Sequence, residues 1–236
     1  MIKIIYDNYI PKNSIVIIID AFRATTVMHY LFSKDIKYII PKRSIQEAVK
    51  HKKKSILVGE EKGYKPDIFD YNNSPYQLQD IKLSNKIVTM STSTGTKSIL
   101  KFYKNNNIIL IGSFTNAKYL SEKLKKEKKN IYIYPTNKKE KEEYNEDIIC
   151  AKYIESLITD KYYNIREKLY NIKKNKELRF FKKDIQDRFP KEDFYLSTKL
   201  NIFSFVLEYK CGKIKKRSYY EKKKKKIFIK RNSWFK

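Results

Sequence analysis

The chain has 236 residues, 41% hydrophobic and 14% aromatic, enough apolar material for a sizeable core in one large domain or two small ones, which excludes disorder throughout. Lys and Arg number 53 against 26 Asp and Glu, a formal net charge of +27. The longest apolar run, Ile15 to Ile19, falls far short of the ~18 residues a membrane span needs, and the N-terminus lacks a signal peptide's order of regions, so a soluble, cytoplasmic protein with no membrane partner is expected.

Ile2 to Tyr6 and Ser14 to Asp20 read as strands, the second almost continuously apolar, as a strand covered on both faces would be. Ala24 opens a helical pattern with Val27, Met28, Leu31 and Phe32 on one side, and Tyr38 to Ile40 closes a βαβ unit. A helix is expected near Ser44 to His51, a strand at Ser55 to Gly59, a long loop through about Pro75, a strand at Lys86 to Met90 and a helix from about Thr96. The rhythm repeats with a strand at Ile108 to Gly112, a helix at Thr115 to Lys126, a strand at Ile131 to Tyr134 and a longer helix at Glu146 to Ile158. Beyond Thr159 the chain reads as helical and lysine-rich, then strand-like from Ile202 to Tyr209. This alternation predicts an α/β fold, a mainly parallel sheet with helices on both faces, as a single domain over 1–212 with a basic tail over 213–236.

The charge invites a nucleic-acid reading that its composition tempers. Only seven basic residues are arginine (Arg23, Arg43, Arg166, Arg179, Arg188, Arg217 and Arg231) and 46 are lysine, whereas bidentate phosphate clamping and base readout favour arginine's planar fork. Lysine with abundant Ile, Asn and Tyr is what A/T-rich codons produce. The runs at Lys52 to Lys54, Lys125 to Lys129 and Lys222 to Lys226 read as solvated faces or a tail, with nonspecific polyanion binding still physically open. Cys150 and Cys211 lie in unrelated contexts without CxxC spacing and read as reduced thiols.

Ligands of open α/β sheets bind outside the carboxyl ends of the strands, so the strand-end turns are where chemistry is sought. Asp20-Ala21-Phe22-Arg23-Ala24-Thr25-Thr26 places a carboxylate, a guanidinium and two hydroxyls at a helix start, which suits an anion; the alternative is that Thr25 or Asp20 merely caps the helix. Gly59-Glu60-Glu61 is followed by a loop ending in Asn73-Ser74-Pro75. Met90-Ser91-Thr92-Ser93-Thr94-Gly95-Thr96 offers five hydroxyls and a glycine in a strand-to-helix turn, without Walker A spacing. Gly112-Ser113-Phe114-Thr115-Asn116 repeats that turn, and Glu146-Asp147 opens the long helix. Mg²⁺ takes one or two carboxylates and bridges to substrate phosphate, a role that suits Asp20, Glu60 and Asp147. His29 falls mid-helix and His51 in a basic run, which argues against a histidine nucleophile or a histidine-rich metal site.

The order of these motifs resembles the 2-phosphosulfolactate phosphatase, or ComB-like, family: Ile19 to Thr26, Gly59-Glu60, Asn73-Ser74-Pro75, Thr92 to Thr96, Gly112 to Ala117 and Glu146-Asp147, with an echo in Phe189 to Asp193. The resemblance implies a three-layer α/β/α fold and a Mg²⁺-dependent phosphatase that converts 2-phosphosulfolactate to sulfolactate and phosphate, a step toward coenzyme M in some archaea. It implies catalytic roles for Asp20, Arg23 and Glu60, substrate contacts from Thr25, Asn73, Ser74, Thr92, Gly95, Thr96, Ser113 and Asn116, and a metal site of Asp20, Glu146 and Asp147. The partner is then a small anionic phosphate ester, in a monomer or a homo-oligomer. Two positions depart from the family's usual pattern, Glu61 standing for arginine and Thr94 for asparagine. A carboxylate for a cation reverses a local charge, so Lys62 substitutes, the substrate differs, or activity is lost. The other class of function is an anion- or RNA-binding relic of the same fold, which would have no use for the acidic residues at the strand ends.

Overall fold

Five consecutive β-branched residues form β2 (Ile15–Ile19), and all five are buried because the strand lies inside the sheet with helices on both faces. It runs parallel between β6 (Ile108–Gly112) and β7 (Ile131–Pro135), with β1 (Ile2–Ile4) beyond β7. A second parallel set consists of β3 (Tyr38–Lys42), β5 (Ile87–Ser91) and β4 (Ile56–Gly59). A hairpin of β8 (Leu207–Lys210) and β9 (Lys213–Lys216) joins the two sets, β8 antiparallel to β6 and β9 antiparallel to β3, in a nine-stranded sheet ordered β1-β7-β2-β6-β8-β9-β3-β5-β4. The structure is a computed structural model and describes residues 1–7, 9–103, 106–137, 144–175 and 178–218.

Helices α1 (Ala24–Ser33) and α3 (Gly95–Phe102) cover one face, in a core that includes Val16, Ile18, Val27, Leu31, Met90 and Ile99. On the other face, α2 (Ile45–Val49) packs over Leu57 and Phe69, while α4 (Ala117–Leu124) and α5 (Glu146–Thr159) bury Ile15, Ile17 and Ile19 with Leu120 and Ile154. The chain is thus a single three-layer α/β/α domain. Helices α6 (Ile165–Lys174) and α7 (Lys191–Ser197), with short 3-10 turns between them, extend the second layer and bring the C-terminal third against the end of β2.

Three antiparallel junctions separate the parallel sets, so each runs locally opposite to the other. Neighbouring strands rotate by roughly 20–25° per step, and five steps separate β2 from β5. The accumulated rotation turns the carboxyl ends of both sets toward one cleft. The direct sign is a 2.6 Å hydrogen bond from Thr94, after β5, to Asp20, after β2.

The C-terminal region departs from expectation. Strand structure in 202–209 begins only at Leu207; residues 202–206 cross the turn after β6, with Phe203 N–H donating to Thr115 O (2.9 Å). Lys213–Lys216, expected to start a tail, is a strand of the sheet, because Ile214 is fully buried opposite Ile39 while the lysines flank it. Residues 219–236, including the run Lys222 to Lys226, lie outside the described residues. Among the described residues no helix is long and apolar enough to cross a membrane.

Candidate functional site

Asp20 leaves β2 where the chain turns into α1, and its side chain is 6% exposed. Its Oδ1 accepts the Ala24 N–H (3.2 Å) and its Oδ2 the Thr94 hydroxyl (2.6 Å). Burial pushes this carboxyl above its usual range, opposed by those two bonds; the charge of Glu60 raises it further and that of Arg179 lowers it. Gly95 permits the approach of α3: a Cβ there would lie 2.6 Å from Ala24 Cβ and 2.9 Å from Asp20 Oδ2.

Two cavities share Asp20, Phe22, Thr94 and Arg179 as walls. The first, about 270 Å³, adds Arg23, Glu60, Lys62, Asn73, Ser93 and Phe189. The second, about 470 Å³, adds Tyr134, Thr136, Asn137, Glu146 and Asp147.

In the first cavity, Glu60 fastens two turns: Oε1 accepts Ser93 N–H (2.7 Å), and Oε2 accepts Gly63 N–H (2.7 Å) and the Ser93 hydroxyl (2.9 Å). Gly59 makes the turn possible, since at φ +152° a Cβ would fall 1.9 Å from Ser91 O. Asn73 is buried, and its Oδ1 has no partner among the described residues, an unmet acceptor on the cavity wall. Lys62 lines the cavity while Glu61 does not. Arg23 also lines it, yet its guanidinium is ion-paired with Asp193, the two side chains 2% and 0% exposed, and it donates to Arg188 O (2.9 Å). Asp193 accepts in addition from the Ser74 hydroxyl (2.8 Å) and Tyr76 N–H (2.9 Å), which ties the loop after β4 to the start of α1.

In the second cavity, Asp147 is a clamp. Its Oδ1 accepts Ala21 N–H (2.7 Å), and its Oδ2 accepts from Thr136 N–H (3.2 Å), the Thr136 hydroxyl (2.9 Å) and Asn137 N–H (2.9 Å). Burial first, then the charge of Asp20, pushes Asp147 up to about 7. Two buried carboxylates in each other's field are a demand for positive charge.

The cleft therefore gathers Asp20, Arg23, Glu60, Asn73, Glu146 and Asp147, with Gly95 against Asp20. The other expected contacts do not line it. Thr25 exchanges hydrogen bonds with the Asp20 backbone as a cap, and Ser74 is held by Asp193. Thr92 and Thr96 bond each other across the start of α3. Ser113 and Asn116 form a capping box, and Ser113 Oγ lies 3.3 Å from Nδ1 of the buried His29. Ser93, Thr136 and above all Arg179 were missed; the one available signal was an arginine in a chain whose ordinary cation is lysine.

The site's donors fit a hard cation. They are oxygens, with no thiolate or imidazole on the walls, and Asp20 keeps lone pairs beyond its two bonds. Among the described residues no three His, Cys, Asp or Glu side chains stand together as a metal site, so Asp20, Glu146 and Asp147 line one cleft without forming the three-carboxylate set expected of them.

The family profile described as 2-phosphosulpholactate phosphatase matches residues 5–212. A protein of Thermoplasma volcanium named probable 2-phosphosulfolactate phosphatase is 34% identical over 205 residues, covering 86% of this chain and 92% of its own length. Proteins of the same name from Clostridium acetobutylicum and Clostridium tetani are 30% and 31% identical over 220 residues each, with 86% of this chain covered and 92% and 93% of theirs. Strand-end chemistry and these matches agree, and the chain belongs to the 2-phosphosulfolactate phosphatase family of phosphoric monoester hydrolases.

Proposed function

We propose that the chain hydrolyses 2-phosphosulfolactate to sulfolactate and phosphate with Mg²⁺ in the cleft around Asp20. The observation that carries the reading is the placement of Asp20, a buried carboxylate at a strand end that is a wall of both cavities. In the reaction a water oxygen bonds to phosphorus, the ester P–O bond breaks, and the sulfolactate oxygen leaves with the proton that water releases. Asp20 with Glu146 or Asp147 would hold Mg²⁺, which supplies Lewis-acid polarisation of a phosphoryl oxygen.

The chain's own residues do the rest. Asp147 fixes the turn after β7 against Ala21 and so sets the position of Asp20. Glu60 and Asp193 lock the turns after β4 and β5 around the first cavity. Lys62 meets anionic charge at the position where Glu61 brings none into the cavity. Fixed donors of this kind stabilise developing charge without reorganising.

The test is phosphate release by the purified protein over a panel of small phosphate esters including 2-phosphosulfolactate, with Mg²⁺ or EDTA. Turnover that needs Mg²⁺ and is lost in Asp20→Asn supports the reading. No release from any ester, or wild-type turnover by Asp20→Asn, overturns it.

A further inference from the structure

The site has an imbalance that the sequence motifs do not resolve. Asp20, Glu60, Glu146 and Asp147 place four carboxylates on the walls, and the substrate is itself an anion. Of the cations on the walls, Lys62 offers a charge without a fork, and Arg23 is neutralised in a buried pair by Asp193. A guanidinium committed to a buried carboxylate is a strut, because withdrawing it would leave Asp193 charged and unpaired in the interior.

Arg179 is built differently. It stands on a 3-10 turn (Arg179–Phe181), far in sequence from every strand-end motif, and is exposed at the cleft. It lines both cavities. One edge of its fork is anchored, Nη2 donating to Phe22 O at 2.6 Å. Its guanidinium carbon lies 4.8 Å from the Phe189 ring centroid and 5.5 Å from that of Phe180, so two rings fix the plane. Among the described residues no carboxylate pairs with it. Its charge nonetheless acts on Asp20. Arg23 also lies 4.8 Å from the Phe189 centroid, and Arg188 5.9 Å, so three of the chain's seven arginines meet at one phenylalanine. In a chain with 46 lysines that concentration marks a place where a planar fork is needed.

We infer that Arg179 is the residue whose guanidinium contacts the phosphoryl oxygens of bound substrate, with Arg23 holding the cleft's shape behind it. The inference deepens the phosphatase reading and rests on it for the identity of the ligand. An oriented guanidinium with an uncommitted edge can give two parallel N–H bonds to a phosphoryl group. Lysine at 179 keeps the charge but not the fork.

The test is inorganic phosphate binding by calorimetry in phosphate-free buffer with Mg²⁺, alongside KM and kcat on the best ester, for wild type, Arg179→Ala, Arg179→Lys and, as a control outside the cleft, Arg43→Ala. The expected result is a phosphate Kd and a kcat/KM worse by roughly 10- to 100-fold in Arg179→Ala. Arg179→Lys recovers only part of that loss, Arg43→Ala matches wild type, and the thermal midpoints stay together because Arg179 is exposed. Wild-type phosphate affinity and kinetics in Arg179→Ala, or no phosphate binding by the wild type, overturns the inference. A wild type that binds phosphate through Arg179 but releases none from any ester would sink the phosphatase reading and leave the inference standing.

Discussion

The turns after β5 and after β6 have almost the same chemistry, a strand end followed by small hydroxyl residues and a helix, and they meet opposite fates. After β5, Ser93 and Thr94 line the cleft, and Thr94 bonds Asp20. After β6, Ser113, Thr115 and Asn116 are fully buried and bond one another and His29. The difference is made elsewhere in the chain: Asn201 and Phe203 donate to Phe114 O (3.0 Å) and Thr115 O (2.9 Å) and cover the second turn, while the turn after β5 is bonded from one side by Glu60 and Lys62 and keeps Ser93 and Thr94 on the cleft wall. Composition gives a turn its donors, and the distant segment that covers it decides whether a ligand meets them.

The sharpest way to break the open side is Asp193→Ala. It would strand Arg23 at 2% exposure, and losing one partner of a buried pair costs about 3–5 kcal/mol. Urea unfolding should show that loss; a drop under 1 kcal/mol would mean that Arg23 turns to solvent.

The closed side carries a pH signature. Burial drives His29 down to about 4, from 6.5 in an exposed chain. Between those values the unfolded state binds a proton that the folded state does not, so stability falls as pH drops from 6.5 toward 4 and this group adds nothing further below that. The contribution lost between pH 7 and pH 5 is about 2 kcal/mol. His29→Leu should flatten the stability profile by that amount, and an unchanged profile would show that His29 is protonated without cost.

A smaller effect on catalysis is expected from Thr94→Val, which removes the donor to Asp20 and should lower kcat by roughly 10-fold, with Thr94→Ser restoring most of it. Ser113→Ala is the matched change on the closed side. It should cost about 1 kcal/mol of stability for its lost hydrogen bonds and leave turnover within about twofold. Equal effects of the two substitutions on kcat would erase the distinction between the turns.

The alternation of strands and helices through Thr159 was legible because the strands are short runs rich in β-branched residues, while α3 and α4 carry apolar residues at helical spacing and α1 and α5 are apolar over lengths too great for a strand. The hairpin was not, since Lys213–Lys216 offers a single apolar residue, Ile214, among lysines, and its place depends on the sheet already present. At the site, Asp20, Glu60 and Asp147 were legible by their position at the ends of strands or the start of a helix. Arg179 lies more than 150 residues from the Phe22 carbonyl it bonds, and no local pattern encodes such a contact. Ser113 and Asn116 misled for the converse reason, since an open turn and a covered one read alike until the covering chain is seen.

The order of the strands also bears on how the molecule comes into being. The hairpin of β8 and β9 is last in the chain among the described strands, yet it occupies the middle of the sheet. During synthesis the two parallel sets can each form but have no shared edge until residues 207–216 emerge, so β6 and β3 wait as open templates for pairing. The hairpin is a keystone laid last. Until it is in place the two half-sheets are held to each other mainly through the core that α1 and α3 share.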